Sequence, residues 1–125
     1  MAHHSRLAGF IIDCEGGALD AHADFWSRAL GLGIVDPNEG DDGRYAVLDG
    51  SPLGLHIEVQ RVEHPPRVHL DIESDDIDAE ADRLERLGAR RIGFVKRWWV
   101  MEAPTGHRFC IVRMRERETP ANHWS

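Results

Sequence analysis

Three things are scarce in this chain, and each scarcity excludes something. Cysteine occurs twice, at Cys14 and Cys110. Two distant cysteines make no disulfide framework. The opening Met1-Ala-His-His-Ser-Arg has no signal-like apolar run behind it, so the pair reads as thiols of a reducing cytoplasm. Long apolar runs are also missing. The longest, Gly9 to Ile12, is far too short to cross a bilayer, so no membrane span is expected. Positive charge is outweighed, with 22 acidic against 15 basic side chains and a net charge of −7. That balance argues against nucleic acid or an anionic membrane as a broad-surface partner. What is present is ordinary for a globular protein: 125 residues, 42% hydrophobic and 30% charged, one domain's worth over 1–125.

The pattern of elements is readable in order. Residues 7–13 form an apolar, β-rich strand, broken by Cys14-Glu-Gly-Gly17. Leu19, Ala23, Trp26 and Leu30 fall on one helical face, and Gly31 is a left-handed stop. Short strands follow at 33–35 and 45–48, separated by a turn-rich polar loop at 36–43. A strand at 55–62 closes the first half, and Glu63-His-Pro-Pro66 cannot be helical. From Arg67 the plan repeats. Val68, Leu70 and Ile72 alternate with Arg67, His69 and Asp71. Ser74-Asp-Asp76 supplies N-cap candidates, Ile77, Ala81, Leu84 and Leu87 make an apolar stripe, and Gly88 ends the helix. Strands over 89–95, 98–101 and 107–113 complete it. The polar tail, 114–125, is expected to fray, with Trp124 its one docking candidate.

Overlaying the halves sets Leu87-Gly88 on Leu30-Gly31 and Gly106 on Gly54. The reading is an α+β fold of two βαβββ modules, about 6–62 and about 67–113. They would form a curved, eight-stranded mixed sheet, a cup with the helices on its outer face. Alternation then sorts the side chains. Leu55, Ile57 and Val59 oppose His56, Glu58 and Gln60; Leu70 and Ile72 oppose His69 and Asp71; Phe109 and Ile111 oppose Arg108 and Cys110. Phe10 and Ile12 would face a helix, leaving Gly9, Ile11 and Asp13 on the other side. A sheet with helices on one face reads this way. The helix-free face gathers titratable and hydrogen-bonding groups, either as a solvated surface or as the lining of a site. Of the adjacent pair Trp98-Trp99, one must pack under a helix and the other point away from it. Trp99 is assigned to the site as a stacking wall.

With these residues in place, the chain resembles the vicinal oxygen chelate superfamily. The resemblance rests on the βαβββ duplication, the strand His69-Leu-Asp-Ile-Glu-Ser-Asp-Asp, the helices ending Leu-Gly, and the closing Ala-Pro-Thr-Gly-His-Arg-Phe-Cys-Ile-Val. Asp13-Cys14, Phe25-Trp26 and Gln60-Arg61-Val62 point to its glyoxalase-like branch. The superfamily includes glyoxalase I, bleomycin-resistance proteins, fosfomycin-resistance transferases and extradiol dioxygenases. Its metal-using members take one ligand from the first, fourth, fifth and eighth strands, which fall here on Gly9, Glu58, His69 and Cys110. Glu58 and His69 match. Gly9 has no side chain to offer, and Cys110 stands where a carboxylate is expected, although a thiolate can bind softer metals.

The resemblance therefore implies a protein that binds a small organic molecule in the cup. His56, Glu58, Gln60, His69, Asp71, Trp99, Arg108 and Cys110 are the ligand-binding candidates, and no cofactor is expected. The alternative is a lyase, isomerase or dioxygenase with a divalent metal at Glu58, His69 and Cys110. Cys110 beside His69 would also suit a nucleophile and its base. The resemblance further implies a homodimer, while the cysteines and the charge are what point to the cytoplasm and away from membrane or nucleic-acid partners.

Overall fold

The first helix forms where its sequence says it should, for local reasons. Leu19 and Ala23 are buried and Trp26 packs beside them, all on one face of α1 (Leu19–Leu30). Gly31 stops the helix in the left-handed conformation, φ 69°, which costs glycine nothing. The second helix, α2 (Ile77–Arg86), starts on Asp76, whose carboxylate accepts the Ala79 N–H.

A computed structural model of the protein describes residues 2–116 and 119–125. The fold is α+β, with helices and strands in the expected βαβββ order, twice. The strands are β1 (His3–Glu15), β2 (Ile34–Glu39), β3 (Tyr45–Leu48), β4 (His56–Val62), β5 (Arg67–Ser74), β6 (Arg90–Val95), β7 (Trp98–Glu102), β8 (Arg108–Arg113) and β9 (Asn122–Trp124). The chain divides into two compact units, one of Gly9–His69 and one of 70–125 together with 2–8.

In the unit Gly9–His69, the strand order is β2-β3-β4-β1. β1 and β4 are parallel, with Gly9 opposite His56, Ile11 opposite Glu58 and Asp13 opposite Gln60. β3 runs antiparallel to both β2 and β4. α1 covers one face, and its core is Ile12, Cys14, Leu19, Ala23, Ala46, Leu48, Ile57 and Val59. β2 runs longer than its apolar piece suggests. It continues through Pro37 to Glu39 with two register shifts. Pro37 is tolerated because β2 is an edge strand in this unit, where the missing N–H breaks no ladder.

In the other unit the order is β5-β8-β7-β6, with β5 and β8 parallel and the hairpins antiparallel. α2 packs through Ile77 and Ala81 on Met101, Phe109 and Ile111. Asp82 does not pair with Arg86 as an i,i+4 match would suggest. Arg91 reaches from β6 to both Asp82 and Glu85.

The tail does not fray at its end. β9 pairs antiparallel with the start of β1, setting His3 opposite Trp124 and Ser5 opposite Asn122. The Trp124 indole N–H donates to Ser5 Oγ at 2.8 Å, and the Arg83 guanidinium lies 3.8 Å from the ring centroid. Beside them His3 Nε2 meets the fully buried Glu80 carboxylate at 2.7 Å, and Arg83 grips the same carboxylate with two N–H donors. Burial alone would push the Glu80 carboxyl up. The hydrogen bonds from Arg83, His3 and Ser5, with the Arg83 charge, outweigh that and hold it below the usual carboxylate range.

Candidate functional site

On β4, residues two apart share a face, so His56, Glu58 and Gln60 stand together on the side opposite Ile57 and Val59. Ile57 and Val59 belong to the core under α1, which leaves the three polar groups on the helix-free face. His56 Nε2 lies 2.5 Å from Glu58 Oε1, and the Gln60 amide donates to the Tyr45 hydroxyl at 3.1 Å. Glu58 is only 7% exposed. A carboxylate so buried needs a hydrogen-bonding or ionic partner, and His56 is one.

The same face of β1 carries Asp13, which the alternation placed there but which was not among the site candidates. Its side chain is 1% exposed. His69 Nδ1 lies 3.0 Å from Asp13 Oδ2, with Arg67 Nε at 3.5 Å and His64 Nε2 at 3.9 Å from the same oxygen. An ionised carboxylate only accepts, so in this pair His69 donates its Nδ1–H to Asp13. The other carboxylate oxygen, Oδ1, is buried with no hydrogen-bond partner. A native structure that buries such an atom usually satisfies it with a water, an ion or a ligand. The sequence signal was its place on the polar face. Its burial and its three basic neighbours came only with the structure.

The other four ligand-binding candidates fall in the second unit. Asp71 and Cys110 are cross-strand partners on β5 and β8, both buried. Arg108 faces its cross-strand neighbour Glu102, with Nε 3.5 Å from a carboxylate oxygen. Trp99 requires correction. It pairs with Ile111, packs against the core beneath α2, and donates its indole N–H to Asp78 of that helix at 2.8 Å. Trp99 is therefore a helix-side residue. Trp98, one position back, takes the face shared by Val100, Cys110 and Arg108.

The expected metal set is not met at β1. A Cβ built on Gly9 would lie 2.6 Å from the His56 carbonyl carbon and 2.8 Å from its nitrogen. That position is closed to any side chain, so it is more than a missing donor. The β1 residue opposite Glu58 is Ile11, which has no donor atom. Of the other three, Glu58 meets His56 and His69 meets Asp13.

This arrangement of strands and helices defines a protein of the vicinal oxygen chelate superfamily. Residues 9–112 match the glyoxalase-like domain, and the chain belongs to that family. Among solved structures, a methylmalonyl-CoA epimerase in complex with methylmalonyl-CoA and NH4+ is 20% identical, TM-score 0.65, over 94% of this chain and 99% of that one. The methylmalonyl-CoA epimerase of Mycobacterium tuberculosis is 18% identical, TM-score 0.60, over 89% and 91%. A hypothetical protein from Bacillus halodurans is 14% identical, TM-score 0.64, over 93% and 99%. At these identities the likeness is one of fold. No curated protein matches the chain. No helix among the described residues is long and apolar enough to cross a membrane.

Proposed function

We propose that the protein binds a small polar organic molecule on the helix-free face of the unit Gly9–His69, through His56, Glu58, Gln60, His69 and Asp13. The observation that carries this reading is burial. Asp13 and Glu58 are 2% and 7% exposed on a face that α1 does not cover. An ordinary solvated sheet face leaves its carboxylates in water, whereas binding sites desolvate a few convergent polar groups. The unpartnered Asp13 Oδ1 offers an acceptor to a donor group of such a molecule. Asp71, Arg108 and Cys110 remain candidates within the other unit taken by itself. The proposal takes the protein as a cytoplasmic homodimer, in which a second copy would cover exposed apolar side chains such as Phe25, Val35 and Leu53.

Native mass spectrometry of freshly purified protein tests it, followed by thermal-shift titration with small carboxylic acids, amides and acyl thioesters. A retained or added molecule should stabilise the wild type, and His56→Ala and Gln60→Ala should weaken that response. No retained mass and no response across the panel, or responses indifferent to both variants, would sink the reading. Sedimentation velocity reads the dimer.

The Asp13–His69 pair favours one second reading. A buried carboxylate that fixes an imidazole is the arrangement of a general base. If the bound molecule is a carbon acid, wild-type protein should wash solvent deuterium into it and His69→Gln should not. Equal rates in the two proteins refute the enzyme reading and leave the binding reading standing.

A further inference from the structure

We propose that Glu39, His56 and Glu58 form a site for one divalent transition-metal ion, held within the unit Gly9–His69. His56 and Glu58 share a face of β4 because they are two residues apart. Glu39 arrives from β2 at the end of an irregular stretch. Register shifts fall between Ile34 and Asp36 and between Asp36 and Glu39. Such bulges re-aim a side chain out of the regular pleat. The result is that one ligand atom from each of the three residues lies within 4.8 Å of the others. Donors bonded at about 2.0–2.2 Å stand roughly 3–3.5 Å apart around a four-coordinate ion. Small side-chain rotations therefore close the set, without movement of the strands.

The charges favour a dication. Two carboxylates and one imidazole converge, and Glu58 is buried. A bound M2+ neutralises both carboxylates and takes the place of the hydrogen between His56 Nε2 and Glu58 Oε1, while a neutral imidazole keeps its one proton on Nδ1. One nitrogen and two oxygen donors suit zinc, cobalt or manganese better than a soft ion, and the imidazole disfavours calcium and magnesium. Glu39 is exposed, which gives the ion a route in and leaves coordination positions open toward solvent.

This donor set shares only Glu58 with the four-strand arrangement that Gly9 closes off, and it uses neither His69 nor Cys110. It shares His56 and Glu58 with the small-molecule reading, while Glu39 belongs to this site alone and Gln60, His69 and Asp13 to that reading alone. A protein that takes up no added metal yet still binds a small molecule would end this proposal and leave that one intact.

The test is titration of chelator-treated protein with Co2+, read by visible absorption, and with Zn2+, read by calorimetry. One equivalent should bind. Affinity should fall by more than about tenfold in both Glu39→Gln and His56→Ala and stay within about threefold of wild type in His69→Gln. Glu39 is exposed and Gln is nearly isosteric, so circular dichroism should show Glu39→Gln folded. Absence of stoichiometric binding overturns the site. So does binding that survives Glu39→Gln, or binding that is lost in His69→Gln.

Discussion

Replacing Gly9 by alanine asks whether β1 and β4 approach as closely as the structure states. The added Cβ would stand 2.6 Å from the His56 carbonyl carbon and 2.8 Å from the His56 nitrogen, both backbone atoms. The His56 carbonyl oxygen is closer still, and ordinary contacts begin at about 3.2–3.5 Å, so the strands must part locally by roughly 1.5 Å. Gly9 opens the run of register pairs that ends at Glu15 and Val62, and fraying from that end would relieve the clash. Ala8 and Ile11 oppose it, since they are 2% and 4% exposed and hold the strand in place. Overpacking costs about 1–3 kcal/mol, and one or two lost ladder hydrogen bonds add about 0.5–1.5 kcal/mol each. The restricted unfolded chain returns about 0.4–1 kcal/mol. The net expectation is about 2–4 kcal/mol, a large share of the roughly 5–15 kcal/mol that holds a domain together. Urea unfolding followed by circular dichroism measures it. Gly33→Ala is the control, because a Cβ there meets nothing within 4 Å. A Gly9→Ala midpoint equal to that of Gly33→Ala would refute the close approach. It would also reopen β1 as a source of a ligand.

Other outcomes follow from named contacts. Asp13→Asn removes the charge that three basic side chains surround, and should cost about 1–3 kcal/mol in the same assay. Removing residues 122–125 deletes β9 with the Trp124–Ser5 and Trp124–Arg83 contacts, and should lower stability by about 1–3 kcal/mol. Glu80 is held below the usual carboxylate range, so its contribution is complete above the unfolded value, near 4.3, and is lost as pH falls through the folded value. Acid unfolding of Glu80→Gln should therefore be flatter than wild type below about pH 4.3, and identical slopes would contradict the buried pair. Burial pushes the Cys14 thiol up, with the Asp13 charge adding to it against a hydrogen bond with Trp26. Iodoacetamide at neutral pH should therefore label Cys14 only after denaturation.

The sequence carries the parts of this fold that are decided locally. The helix stops at Gly31 and Gly88 and the cap at Asp76 depend on a few neighbouring residues, and each was readable. The helix-free faces of β4 and β8 followed from a period of two. Parts set by distant pairing were not readable. β9 is a three-residue strand whose partner is at the other end of the chain. Alternation says that Trp98 and Trp99 point opposite ways, yet only the pairing of Trp99 with Ile111 says which one meets α2. Glu39 was hidden because Pro37 and Gly-Asp-Asp-Gly43 spell a loop, while an edge strand tolerates that composition. Asp13 was on the right face, but nothing near it in sequence announces that residues 64, 67 and 69 return to it.

β1 spends its residues in both compact units, with 3–8 in one and 9–15 in the other. The two βαβββ halves are therefore not separable pieces of chain. A gene cut at the prolines, Pro65 and Pro66, would leave the later fragment without the strand on which Trp124 and Glu80 close. Supplying residues 2–8 as a separate peptide should restore it. The chain can be descended from a tandem repeat and still be unable to return to one, because its first strand has become common property of both copies.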